Sequence, residues 1–468
     1  MALPSVSTLP LPEKLNTHAR GLLEYLHGLA ELTDPHPLER ARGCLMDALG
    51  CGLFGATQPW GKIITEEALS ESSQGHCRIL GSTAMVAAGQ AALCNGTAMH
   101  GFELDDLLSA ALIHPGAVIV PAAIAAAEAV DASGLQLLRG IVAGYEAMER
   151  ISLALGTEPS HRGFHKTSVV GPVAASIAAS VVMRLDFQQL QWAVGLACSC
   201  ASGVKNFAAG GAGMVKRLHA GRAAEAGVRT ALLARRGFTA PVGAIDGKFG
   251  LLEAFGGATA RPELLDDALG SRWAVDDVWV KVYPICGWIQ GVVQLILEMR
   301  EQESLDTASV AEVVVSTSTF AVKNNGNVEP EDTMDAQYSI PYCVAVALTG
   351  EPMDPSEYGV ARIQDSRRKA IAQRVTLKAD PAADEVYPKH FFSAVSLHLN
   401  DGRVLSARTM DPHGTPDHPC SPKERAQKFT RLVELAELDI DGSKSLACVE
   451  GIAAISAREL MDSMTPSL

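Results

Sequence analysis

Residues 100–116 read HGFELDDLLSAALIHPG, in which His100 and His114 bracket Glu103, Asp105 and Asp106. Imidazoles beside carboxylates supply proton donors and acceptors near neutral pH, and the same groups can ligate a cation. At helical spacing His100, Glu103 and Asp106 or Leu107 share a face, with Asp105 pointing elsewhere. Pro115 sets a break after His114. Spacing alone leaves three readings open: a pocket wall with an acid/base histidine, a metal site, or an acid-rich helix end with a structural histidine.

Three cationic stretches follow. SHRGFHKTSVVGP places His161, Arg162, His165 and Lys166 just ahead of an apolar helix, whose free N–H groups suit an anion. GGAGMVKRLHAGRAAEAG leads a glycine-rich loop into Lys216, Arg217, His219 and Arg222. VKVYPICGW sets Lys281 among apolar residues, where an inward-facing ammonium would stabilise a developing enolate. Each has a plainer reading, a basic surface loop or a solvated helix face, and Cys286 alone reads as structural. Together they offer what a di- or tricarboxylate requires of an acidic protein.

The elements that must position these groups fall into two kinds. From Leu15 to about Phe255 the pattern is helical, with small residues dominant and SVVGPVAASIAASVVMRL apolar nearly all round, as for a buried central helix. From Arg272 the chain mixes strand and helix. DDVWVKVYP, VAEVVVSTSTFAV and RVTLKAD read as strands, and FSAVSLHLNDGRVLSART as a hairpin turning at Asn-Asp-Gly. The tail, PKERAQKFTRLVELAEL onward, is helical again. The expected architecture is mainly α with an α+β second domain: a discontinuous helical domain of residues 1–271 and 411–468, and an α+β domain of 272–410.

The chain has 468 residues, a net charge of −14 and 47% hydrophobic residues, which fits a globular protein and gives no basic nucleic-acid footprint. The ten cysteines form no C-x-x-C pair, so zinc-ribbon and iron–sulfur spacings are missing, and buried thiols in a reducing cytoplasm are expected. No signal peptide or membrane span is read, so the expected location is cytoplasmic. GAIDGKFG has three residues between its glycines and Phe249 where a P-loop needs Ser or Thr. No G-x-S-x-G or H-E-x-x-H motif occurs.

Taken in order, the segments resemble the MmgE/PrpD family, which includes 2-methylcitrate dehydratase, cis-aconitate decarboxylase and iminodisuccinate epimerase. The family's H-x-x-D-x-D-D-T and following H-P correspond to His100, Glu103, Asp105, Asp106, Leu107 and His114-Pro115. Its F-H-x-x-S-V-V-G corresponds to Phe164, His165, Ser168, Val169, Val170 and Gly171. Lys216, His219, Gly221, Ala223 and Ala224 match K-x-x-H-x-G-x-A-A, and Lys281, Tyr283 and Pro284 match K-x-[YF]-P. The resemblance spans about residues 15–455. It implies a large helical domain, a smaller α+β domain, a site between them, a homodimer, a small anionic carboxylate as substrate, and neither metal nor other cofactor. It places the site at Asp105, Asp106, His114, His165, Lys216 and Lys281, with Tyr145 and Tyr342.

Three departures stand out: Glu103 for Asp, Leu107 for Thr, and Cys286 where a histidine often follows the lysine. Losing a hydroxyl and a histidine weakens a dehydratase, which needs an acid at the leaving hydroxyl as well as a base. An epimerase needs only proton removal on one face and return on the other. The expected reaction is therefore epimerisation, with iminodisuccinate as substrate. His165, Lys281, Tyr145 and His114 are its catalytic candidates, and Lys216, Asp105, Asp106 and Tyr342 bind substrate. Dehydration of methylcitrate or decarboxylation of cis-aconitate is the near alternative. A non-catalytic carboxylate-binding protein and a metal-dependent hydrolase using His100, Asp105, Asp106 and His114 are more distant ones.

Overall fold

The computed structural model describes residues 17–71, 74–209, 213–387 and 389–467. The Pro/Ser-rich lead-in and residues 210–212 of the glycine-rich loop lie outside the described residues. The first part is built of helices, principally Pro35–Ala56, Ala88–Met99, Gly116–Val130, Gly134–Leu155, Lys166–Val182, Phe187–Cys198 and Val215–Arg235. Lys166–Val182 is buried along its whole length, as its all-round apolar pattern demands.

Small residues set how closely these helices cross. A methyl at Gly96 would lie 2.9 Å from the Gly221 Cα, and one at Gly221 would lie 2.4 Å from the Leu93 carbonyl. Helices Ala88–Met99 and Val215–Arg235 therefore touch backbone to backbone. Gly171 gives the same close approach between Lys166–Val182 and Ala223 of Val215–Arg235. These crossings align the C-terminal end of the first helix with the N-terminal ends of the other two. His100, His165 and the Lys216–His219 turn all sit at those ends, so the packing brings them together.

The second part holds a four-stranded sheet in the order Val375–Ala379, Val310–Thr317, Ser393–Leu399, Val404–Thr409. The first pair is parallel and the other two antiparallel. Ser393–Leu399 alternates buried and half-buried residues, so Val395 and Leu397 meet Val313, Val315 and the Gly287–Gln302 helix in one apolar cluster. The hairpin turns at Asn-Asp-Gly as expected, with Gly402 at φ +88°. DDVWVKVYP differs from expectation: it forms a single bridge, Trp279 to Leu107, and no strand. On its other side Val280 donates to the Gly414 carbonyl.

Two cores result. The helical one takes in Val275, Val278 and Val280, and from the tail Phe429, Val433, Ile452 and Leu460. The second begins at Ile285. Lys281 lies in the few residues between them. The ten cysteines are free, most of them buried. Among the described residues, no helix is long and apolar enough to cross a membrane.

Candidate active site

The Ala88–Met99 helix ends at Met99, with His100 as its cap. Phe102 and Glu103 then take positive φ values of 102° and 57°. This turn folds the chain back, so Asp105 does not point away from His100. The Asp105 Oδ2 atom accepts from His100 Nδ1 at 2.7 Å and lies 3.0 Å from His114 Nδ1. His114 Nδ1 also lies 2.9 Å from the Asp106 carbonyl. Since both its neighbours only accept, Nδ1 carries a proton. Burial alone would raise Asp105, but the two histidines hold its carboxyl well below the usual range.

The imidazoles form a continuous group. The His100 ring stacks on His165 at 6.1 Å between centroids, and His165 Nδ1 meets His219 Nδ1 at 3.1 Å. Phe207 packs edge-on against both His165 and His219. Burial lowers His100 and His219 to about 4 and pushes His165 well below its ordinary value, so these rings are neutral at pH 7.

Beside them lies a charged group drawn from both parts of the molecule. Glu103 Oε1 pairs with Lys216, and Oε2 lies 3.1 Å from Lys281 and 3.2 Å from the Tyr338 hydroxyl. Lys216 also donates to that hydroxyl at 2.9 Å. Burial would raise Glu103, but the two lysines outweigh it and hold the carboxyl well down. Burial opposes the charge on Lys281, and Glu103 reverses that effect and raises it.

Asp106 forms a separate layer behind the imidazoles. It accepts from the Gly116 N–H at 2.8 Å and from the Tyr145 hydroxyl at 2.6 Å. Burial and the nearby Asp47 push it up to about 7. Asp47 is held by Lys428, which also donates to the Leu104 carbonyl.

The structure thus gathers Asp105, Asp106, His114, His165, Lys216 and Lys281 around one centre. Tyr145 adjoins it but is fully buried, its hydroxyl spent on Asp106. Tyr342 is not brought there. It lies in the second core and donates to the Glu357 carbonyl at 2.7 Å. Ser339 caps the Ile340–Thr349 helix and turns Tyr342 inward, whereas Tyr338, just ahead of that cap, reaches Lys216 and Glu103. Sequence reasoning missed Tyr338 and left His219 without a role. The signal for Tyr338 was its place one residue before a Ser-x-Pro helix start.

The departures also take on structural meaning. Leu107 packs with Trp279 and Phe391 in an apolar cluster. Cys286 caps the Gly287–Gln302 helix and is buried. Four imidazoles and a carboxyl near neutrality remain, so the proton-transfer groups are not depleted. His100, Asp105 and His114 bring ligand atoms within 4.8 Å of one another, a possible cation trio. Both Nδ1 atoms already face the same Asp105 oxygen, so hydrogen bonding accounts for that arrangement.

A mainly helical chain with a small mixed sheet, carrying buried imidazole, carboxylate and lysine groups where two cores meet, is the arrangement that fold and site define. The chain belongs to the MmgE/PrpD family. The MmgE/PrpD N-terminal domain matches residues 22–263 and the MmgE/PrpD C-terminal domain residues 283–439. It is 28% identical to a cis-aconitate decarboxylase of Aspergillus terreus over 84% of this chain and 85% of the relative. It is 26% identical to the Homo sapiens cis-aconitate decarboxylase, over 86% and 85%. It is 24% identical to the 2-methylcitrate dehydratase of Salmonella typhimurium, over 88% and 87%. These relatives are named for decarboxylation and dehydration and lend no support to the expected epimerisation of iminodisuccinate.

Proposed function

We propose that the protein is a lyase that decarboxylates a small tricarboxylate of the cis-aconitate type, using acid–base chemistry of its own side chains. The observation that carries this is the pairing of neutral, buried imidazoles with a buried two-lysine group. The lysines and Tyr338 bind substrate carboxylates. The C–C bond from the saturated carbon to its carboxylate breaks and CO₂ leaves; that electron pair forms a new double bond to the central carbon, and the pair of the old double bond moves to the far carbon. A positioned acid then delivers a proton to carbon. His114 is the first candidate for that transfer, because Asp105 holds its Nδ1–H and leaves Nε2 to take up a proton and then pass it to carbon. His165, with His219 behind it, is the second. In a dry site, fixed cations stabilise the spreading negative charge more than water would.

Dehydration is the second reading, favoured by Asp106 near neutrality, since loss of water needs a protonated acid as well as a base. Incubation of cis-aconitate and 2-methylcitrate with the protein in D₂O, followed by NMR, separates the two. Release of CO₂ with deuterium on the new saturated carbon supports decarboxylation. Water loss from 2-methylcitrate alone selects dehydration, and inertness toward both substrates sinks the lyase reading.

A further inference from the structure

Glu103 does something no other carboxylate in the site does. Its two oxygens occupy the hydrogen-bonding positions that a free carboxylate would seek: the ammonium groups of Lys216 and Lys281 and the hydroxyl of Tyr338. It is only 2% exposed, and it is held there by two successive non-glycine residues at positive φ. We infer that Glu103 is a resident substitute for a substrate carboxylate, so that an anionic ligand must displace it from the lysines, and that it thereby sets how many carboxylates the site accepts. The inference rests on the tricarboxylate reading above.

The charges around Glu103 make the consequence specific. Lys216 and Arg217 face it from the Val215–Arg235 helix, and Lys281 from the segment between the cores. Tyr338 and Cys286 face it as neutral groups, and Asp105 and His114 lie on its own loop. Three cations against Glu103 and Asp105 leave one formal positive charge. A tricarboxylate brings more negative charge than that into a dry site, so displaced Glu103 takes up a proton from solvent as the ligand binds.

The test uses the full chain and tricarballylate, a saturated tricarboxylate with nothing to eliminate. Calorimetry in two buffers of different ionisation enthalpy reads affinity and proton uptake together. Wild-type protein is expected to take up about one proton per ligand bound near neutral pH. Glu103→Gln is expected to bind about tenfold more tightly, with that uptake largely gone. Glu103→Asp, which keeps the charge, should retain the uptake, and it serves if the glutamine variant does not fold. Unchanged or weaker binding by Glu103→Gln, or wild-type binding without proton uptake, overturns the inference. Wild-type protein that binds no tricarballylate, or binds it equally after Lys216→Met, overturns the underlying tricarboxylate reading instead.

Discussion

The Nδ1 atoms of His165 and His219 lie 3.1 Å apart, so one ring presents an N–H and the other a lone pair. Two imidazolium rings cannot keep that contact. Burial lowers His219 and His100 to about 4 and pushes His165 well below its ordinary value. An unfolded histidine titrates near 6.5, so between that pH and about 4 the unfolded chain binds more protons than the folded one. Their contribution to stability is fully present above about pH 6.5 and is lost as pH falls toward 4. Urea midpoints taken at intervals from neutral pH downward should decline over that window. A His165→Asn/His219→Asn double variant should show a shallower decline, and an equal slope would count against neutral rings.

Asp105 orients His114 through Nδ1. Asp105→Asn should lower kcat by about a hundredfold or more, because an amide can present its N–H and favour the wrong tautomer. The double variant with His114→Ala should be little worse than His114→Ala alone. Additive losses in single-turnover kinetics would separate the two residues into independent roles.

Tyr338 and Tyr342 make a direct contrast. Tyr338→Phe removes a hydroxyl shared by Lys216 and Glu103, and should raise KM about tenfold. Tyr342→Phe removes a bond within the second core, costing about 1 kcal/mol of stability with turnover little changed. Steady-state kinetics and thermal unfolding of the two variants decide between these assignments.

Leu107→Thr would restore the hydroxyl found in the family pattern. In this chain it would place that hydroxyl against Trp279 and Phe391, at a cost of about 1–3 kcal/mol. Turnover should not rise. A gain in activity would show that position 107 reaches the substrate after all.

The residue types of the site were legible because each motif lies at a helix end, and helix ends are marked by periodicity and punctuation. Geometry within the 100–116 loop was not. Helical spacing put Asp105 on the wrong side, because nothing in HGFELDD announces two non-glycine residues at positive φ. Tyr342 and Tyr338 differ by one helical turn, and only the Ser339 cap decides which faces the lysines. The NDG hairpin was readable because its glycine conformation is local. DDVWVKVYP was not, since its pairing depends on Leu107 and Gly414, both distant in sequence. The inference from Glu103, Leu107 and Cys286 to an epimerase, which the relatives' names do not support, has a related weakness: replacements were counted before their surroundings were known.

Lys428 holds the Leu104 carbonyl across 324 positions of sequence and joins it to Asp47. On the ribosome, the 100–116 loop emerges long before the helix that carries this lysine. The buried residues of the second core, from Ile285 to Leu399, are also all made before Lys428. A nascent chain stopped at that stage has its sheet and most of its helices, but the Leu104 carbonyl in that loop has no ammonium to meet. The order of synthesis therefore makes closure of the site one of the last events in the birth of the molecule, after most of the fold already exists.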